Sequence, residues 1–305
     1  MQQATEFNVN GVTIRGFFHK PDRTTENDKL PLVIMGNGFA TEWQFGTQAI
    51  IKALNHAGIA TLNFDYRGFG GSDSMPRQPR QLLATKTQLD DWRGAIAHAK
   101  SQSWLSPGKL VFWGSSLGGG HCLTMAAEFA NDTDLACAVV QVPHCCSRAA
   151  FKVVSLANIF KGMSRAILDS LLSLVGAKPL WLKVVATPDT YGVMNAQGWK
   201  QHYLKLASDS TTWKNVIPAR SLLKAGDYRP IQTAHTITVP TLLVAGKSDA
   251  GAPFSAVEET AKKIPNAELY AYEGDHFEVY HGPLLEDIVA HEVEFIKKAL
   301  STDPS

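Results

Sequence analysis

Residues Gly114-Ser115-Ser116-Leu117-Gly118 form a Gly-x-Ser-x-Gly sequence directly after the apolar run Val111-Phe112-Trp113. A serine hydroxyl is a poor nucleophile until a base takes its proton, and that base needs a carboxylate to orient it and support its charge. Glycines two residues either side of Ser116 relieve crowding at a sharp strand-to-helix turn, so a serine there can sit strained with its hydroxyl projecting. A Gly/Ser-rich helix start is the plain alternative; the strand-like run before it and the helical pattern after it favour the nucleophile. The apolar run 242–245 leads into a loop carrying Asp249, and the run 268–272 ends in Gly274-Asp275-His276-Phe277. Ser116 as nucleophile, His276 as base and Asp249 as its carboxylate is therefore the expected catalytic set, with a simple turn or N-cap role as the alternative for Asp249. Asp275 adjoins His276 too closely in the chain to orient it. His281 and His144 also lie near strand ends and remain rivals for the base, whereas His121, one helical turn beyond Ser116, reads as a packing or pocket residue. An oxyanion formed on attack needs preorganised donors. The expected ones are the backbone N–H groups of Leu117 and of Phe39, the latter in Gly36-Asn37-Gly38-Phe39.

These loops need a scaffold that delivers them to one place. Short β-branched or aromatic runs at 6–10 and 12–20, hinged at Gly11, read as an antiparallel hairpin, followed by a polar connector at 21–29. Strand-like runs at 32–36, 59–64, 110–113 and 136–142 then alternate with helical patterns at 43–57, 79–102 and 116–130. The same rhythm resumes with strands at 241–245 and 268–272 and helices at 256–264 and 284–300. Such alternation predicts right-handed crossovers and a parallel sheet covered on both faces. Between 144 and 238 the rhythm breaks. That stretch holds a helical pattern at 155–174, Trp181, Trp199 and Trp213, and irregular Pro/Gly segments, so it reads as a lid inserted at the carboxyl edge of the sheet. The expected organisation is a core of residues 1–143 and 239–305 with a mainly helical lid at 144–238.

Composition narrows the function. The chain has 305 residues, 45% of them hydrophobic and 19% charged, which suits a folded globular protein. Lys and Arg (29) nearly balance Asp and Glu (28), and no basic run carries interleaved aromatics, which argues against nucleic acid as a partner. Cys122, Cys137, Cys145 and Cys146 show neither a disulfide framework nor metal-ligand spacing, and no segment reads as a leader or a membrane span. The expectation is a cytoplasmic protein with no metal or cofactor, acting on a small molecule. Trp43, His144, Cys145 and Tyr191 are candidates for the pocket mouth, each with simple packing as the alternative.

Together these motifs resemble the α/β-hydrolase superfamily over about residues 12–300, more loosely in the inserted stretch. Asp65-Tyr66-Arg67-Gly68-Phe69-Gly70-Gly71-Ser72 is similar to the superfamily's D-x-R-G-x-G-x-S segment, which implies a turn in the pocket wall and no catalytic role. Many relatives carry His-Gly where this chain has Asn37-Gly38, which removes one support of the oxyanion loop. Gln88-Leu89-Asp90-Asp91-Trp92, the nucleophile segment, Gln141-Val142-Pro143 and Gly274-Asp275-His276-Phe277-Glu278-Val279-Tyr280 resemble a narrower group. That group holds dienelactone-hydrolase-like and serine-aminopeptidase-like hydrolases and fungal polyketide transferases. The resemblance implies an α/β-hydrolase fold, with a mostly parallel eight-stranded sheet, helices on both faces and an inserted helical lid. It further implies acyl-enzyme chemistry on an ester, thioester or lactone, with a place in secondary metabolism. A lid rich in Trp, Phe and Leu favours a bulky apolar acyl group. The alternatives are acyl transfer to an acceptor by the same residues, lyase, isomerase or cyclase chemistry without an acyl-enzyme, and a non-catalytic binding protein. A homo-oligomer is compatible with all of them.

Overall fold

Gln2–Val9 (β1) and Val12–His19 (β2) pair antiparallel from Val9 opposite Val12 outward, so only Asn10 and Gly11 turn the chain. Both turn residues have positive φ, 52° and 81°, as a hairpin turn matched to the strand twist requires. The further strands are Leu30–Gly36 (β3), Ala60–Phe64 (β4), Leu105–Ser115 (β5), Leu135–Gln141 (β6), the short pair Trp181–Leu182 (β7) and Ile217–Pro218 (β8), Thr241–Gly246 (β9) and Ala267–Tyr272 (β10). A computed structural model describes residues 1–22, 24–25, 27–152 and 154–301. Arg23 and Glu26 of the expected connector, Val153 of the expected lid and residues 302–305 of the expected core lie outside the described residues.

Eight strands make one sheet in the order β1-β2-β4-β3-β5-β6-β9-β10, antiparallel at β1-β2-β4 and parallel from β4 onward. The helices are Gln48–His56 (α1), Thr85–Lys100 (α2), Leu117–Glu128 (α3), Ser147–Lys152 (α4), Leu156–Leu174 (α5), Trp199–Leu206 (α6), Ser221–Ala225 (α7), Phe254–Lys263 (α8) and Gly282–Ser301 (α9). Alternate residues of each central strand face opposite layers. Ile34 and Phe112 pack with Leu62 and Trp92 on the α2 and α3 side, while Val33, Met35, Val111 and Trp113 pack with Ile50, Leu54, Ile288 and Ile296 on the α1 and α9 side. The chain leaves β3 toward one sheet edge and returns to β5 on the other side of β3. That reversal opens a crevice beyond the carboxyl ends of β3 and β5, where ligands of open α/β sheets bind.

Two helices begin later than their periodicity predicts. The helix expected over 43–57 starts at Gln48, because Gly46 turns at φ 72° with its Cα against the Tyr280 ring. The helix expected over 79–102 starts at Thr85. Gln81 is held at φ 58°, its N–H donating to Gly68 O and its side-chain amide donating to Lys214 O and Val216 O. The segment between β6 and β9 carries α4 to α7 and a two-stranded antiparallel sheet, β7 with β8, that no periodicity announces.

Within the α1 and α9 layer, Trp113 Nε1 donates to Glu292 Oε2 at 3.1 Å, and Glu292 Oε1 is buried without a partner among the described residues. Burial pushes this carboxyl from 4.5 up to about 8, against the opposing pull of the Trp113 N–H. A folded-state value above the unfolded one means that the associated stability is full below about pH 4.5 and is lost as pH rises toward about 8. Denaturant titrations at successive pH values are expected to show this decline in the wild type and a flatter profile in Glu292→Gln, which keeps an acceptor for Trp113 without a titrating proton. An equal slope in both proteins would rule the assignment out.

Candidate active site

Ser116 follows β5 and caps α3 with φ 54° and ψ −120°, a conformation that costs a β-carbon-bearing residue on the order of 1–3 kcal/mol. The surroundings hold it there. Its N–H donates to Gln141 O at 2.9 Å and its carbonyl accepts from His144 N at 2.9 Å. The flanking glycines are needed for close approach: a Cβ on Gly114 would stand 2.2 Å from Gly118 O, and one on Gly118 would stand 2.2 Å from Gly36 O. Ser115 Oγ hydrogen-bonds the Tyr280 hydroxyl at 2.5 Å and fixes the residue before the turn.

His276 and Asp249 arrive from the loops after β10 and β9. His276 Nε2 lies 3.1 Å from Ser116 Oγ, and His276 Nδ1 lies 2.7 Å from Asp249 Oδ2. An ionised carboxylate only accepts hydrogen bonds, so Nδ1 carries the ring proton and Nε2 presents a lone pair to the serine hydroxyl. Asp249 Oδ1 accepts the N–H groups of Gly251 and Ala252, each at 2.7 Å, which fixes the carboxylate plane. Both side chains are almost wholly buried. Burial, the largest influence on His276, opposes its protonation; the Asp249 charge and hydrogen bond, with the charge of Asp275, outweigh it and raise the imidazole above its ordinary range. Asp275 itself bonds elsewhere, accepting from Ala250 N at 3.0 Å and from Trp199 Nε1 at 2.5 Å.

The loop after β3 lies against the serine: a Cβ on Gly38 would stand 3.1 Å from Ser116 Cβ. The N–H groups of Leu117 and Phe39 donate to no other group among the described residues. The Asn37 amide donates to Glu42 O at 2.5 Å, which ties the two ends of this loop together. The inserted segment adds more. Tyr203 OH donates to Phe39 O at 2.8 Å, Trp213 Nε1 donates to Ala40 O at 2.7 Å, and the Ser210 and Thr212 hydroxyls donate to the buried Glu42 carboxylate at 2.6 Å each.

The remaining candidates separate. His144 adjoins Ser116 through its backbone, but its ring bonds Ser147 Oγ at 3.0 Å, and burial, with repulsion from His276, lowers it to about 4. His121 is buried between Tyr228 OH (2.9 Å) and Gln88 Oε1 (3.1 Å), and burial lowers it to about 3. His281 stacks on His202, with ring centroids 4.8 Å apart. Trp43 packs on Phe17 and His19 and lines a cleft of about 650 Å³ with Arg15, Glu42 and Asp65; Ser116, His276 and Asp249 are not among the residues lining it. Cys145 is a core residue whose thiol burial pushes up to about 12. Tyr191 stands against α5, its hydroxyl over Gly162 and its ring under Lys161 and Arg165. The structure thus brings together Ser116, His276, Asp249 and the loops of Leu117 and Phe39, with His144 joined to Ser116 through its backbone, while Trp43, Cys145 and Tyr191 make the packing contacts given above.

Sequence reasoning missed Tyr203, Tyr280 and Glu42, and it noted Trp199 and Trp213 only as aromatics of the irregular stretch. Their partners are backbone carbonyls or side chains more than a hundred residues away for Tyr203, Tyr280 and Trp213, and such pairings leave no periodic trace. Among the described residues no group of three or more His, Cys, Asp or Glu side chains could hold a metal ion, and no helix is long and apolar enough to cross a membrane.

Comparison with known proteins fits this geometry. A family profile described as "Serine aminopeptidase, S33" matches residues 28–287. The chain is 33% identical to the quorum-quenching protein AidA of Acinetobacter baumannii, across 96% of this chain and 93% of that one. It is 23% identical to the polyketide transferase ATR5 of Stachybotrys chlorohalonatus, across 96% and 95% of the two chains. The crystal structure of the α/β-hydrolase GrgF from Penicillium sp. sh18 superposes with a TM-score of 0.81 at 21% identity, covering 99% of this chain and 100% of that one. A serine at positive φ on the strand-to-helix turn beside the crevice of this sheet and a family match over most of the chain lead to one conclusion: the chain belongs to the serine aminopeptidase S33 family and is an enzyme of the α/β-hydrolase fold.

Proposed function

We propose that the chain catalyses two-step acyl transfer from an ester, thioester or lactone, with Ser116, His276 and Asp249 as its catalytic triad. The observation that carries this reading is the single imidazole spanning Ser116 Oγ at 3.1 Å and Asp249 Oδ2 at 2.7 Å. Ser116 Oγ attacks the acyl carbonyl while His276 Nε2 takes its proton, and Asp249 supports the imidazolium through Nδ1–H. The carbonyl electrons move onto oxygen, which accepts from the N–H groups of Leu117 and Phe39; each such donor contributes about 3 kcal/mol to transition-state stabilisation. When the oxyanion collapses, the bond to the leaving alcohol or thiol breaks and His276 returns its proton to that group. Water or an acceptor hydroxyl then releases the acyl group by the same steps in reverse.

Residues 144–238 act in this reading as the lid over the site. Trp199, Tyr203 and Trp213 of that segment pack with Phe45 and Phe277 into an aromatic cluster, and Trp199 lies 5.4 Å from the His276 ring. Such a surface supports a bulky apolar acyl group. Similarity to a polyketide transferase along nearly the whole chain favours, as a second reading, delivery of the acyl group to an acceptor other than water. The four free thiols support a reducing compartment such as the cytoplasm.

A fluorophosphonate probe is expected to label the wild type and not Ser116→Ala, and turnover of p-nitrophenyl esters or acyl thioesters is expected to fall about 10⁴-fold or more in the variant. Turnover retained by Ser116→Ala would exclude the acyl-enzyme. Tyr203→Phe combined with Trp213→Phe frees the Phe39 and Ala40 carbonyls from the lid. Because an oxyanion donor acts in the transition state, kcat is expected to fall about 10- to 100-fold with KM little changed. A raised KM at unchanged kcat would instead make both side chains part of substrate binding.

A further inference from the structure

The helix α5 is built inside out. Its buried residues are small or paired: Gly162 lies under Tyr191 and Leu222, Ala166 is fully buried, and Asp169 accepts the backbone N–H groups of Leu180 and Arg220 at 2.8 and 2.9 Å. At 3.6 residues per turn the opposite face carries Leu156, Phe160, Ile167, Leu168, Leu171 and Leu174, with Val175 following at the end. All seven are exposed, from 50% at Leu168 to 84% at Leu156. A fully exposed aromatic side chain such as Phe160 presents roughly 150–250 Å², and the aliphatic ones less. Weighted by exposure, the stripe comes to several hundred Å², at or above the ~300–600 Å² of the largest apolar patch on a typical monomer and of the same order as the ~800 Å² per partner that a stable interface buries.

We propose that this face of α5 is a homodimer interface, covered by the α5 of a second copy of the chain across a twofold axis. The stripe is straight, about 28 Å long for 19 residues, and no charged residue interrupts it, so one copy matches another along its whole length. The cations of α5 are not arranged for a lipid surface, which calls for basic residues around an apolar face. Lys161 and Arg165 lie on one flank and turn over the Tyr191 ring at 5.0 and 5.7 Å. Twofold pairing places the middle of the stripe against its own copy, and Ser164 is an exposed residue of that middle turn.

Sedimentation equilibrium at micromolar concentration is expected to give twice the chain mass for the wild type. The chain mass alone is expected for Leu168→Glu combined with Leu171→Glu, with an unchanged far-ultraviolet circular dichroism spectrum at 20 °C as the check on folding and a lower melting temperature from the lost association. Both leucines are exposed and outside the proposed catalytic machinery. In Ser164→Cys, mild oxidation is expected to produce a covalent dimer that peptide mass spectrometry maps to residue 164 of both copies. A wild type that stays monomeric at 100-fold higher concentration overturns the proposal, as does a dimer that survives the double substitution. A monomer that instead co-sediments with anionic phospholipid vesicles through this stripe also overturns it, in favour of a membrane surface.

Discussion

A buried imidazole is unstable as a cation unless negative charge reaches it, and one with no hydroxyl beside it has no proton to take. His276 meets both conditions at once, with Asp249 Oδ2 at 2.7 Å on one ring nitrogen and Ser116 Oγ at 3.1 Å on the other. The three residues come from loops after three different strands, so the sheet register decides whether they meet. β5 and β9 both flank β6, and β10 lies beside β9, which lines up their carboxyl ends along one edge of the crevice. The two backbone N–H groups that hold Asp249 Oδ1 and the contacts that hold Ser116 and its neighbour Ser115 remove the remaining freedom. Preorganisation of this kind is what lets charge form in the transition state without reorganising the site.

The inserted segment is tied to the same constraint. Tyr203 and Trp213 hold the carbonyls of the loop after β3, while Ser210 and Thr212 hold Glu42 at the far end of that loop. Each is a hydrogen bond from the segment between β6 and β9 to a loop next to Ser116. Displacing the insertion would leave the buried Glu42 carboxylate without two of its donors, a cost of the kind that keeps two structural units moving together. Coupling between the segment 144–238 and the loop after β3 is therefore a property of this packing, independent of any substrate.

Much of this was legible in the sequence for a definite reason. Gly114 and Gly118 stand where a Cβ would overlap backbone, and Asp249 and His276 follow the apolar runs that become β9 and β10, so residue type and spacing carried the geometry. Where a contact is made by side chain to distant carbonyl, as for Tyr203 and Trp213, nothing in the local pattern marks it. The nearness of Trp43 in sequence to the loop after β3 points to the pocket mouth; the turn at Gly46 and the Asp65 carboxylate, which accepts the Trp43 N–H at 2.9 Å, place it in the cleft beside Phe17. Periodicity also finds α5 but cannot say which of its faces points inward. Its small residues face the protein and its large apolar ones face out, the reverse of the usual arrangement.

In the proposed triad Asp249 supports the imidazole beside Ser116, and an NMR titration of ¹⁵N-labelled His276 in the free enzyme measures that support. Burial lowers this imidazole and the two neighbouring carboxylates raise it, so the wild-type ring is predicted to titrate above 6.5 and the ring in Asp249→Asn below the wild-type value. Identical titration in the two proteins, or a wild-type ring that titrates below 6.5, would contradict the account.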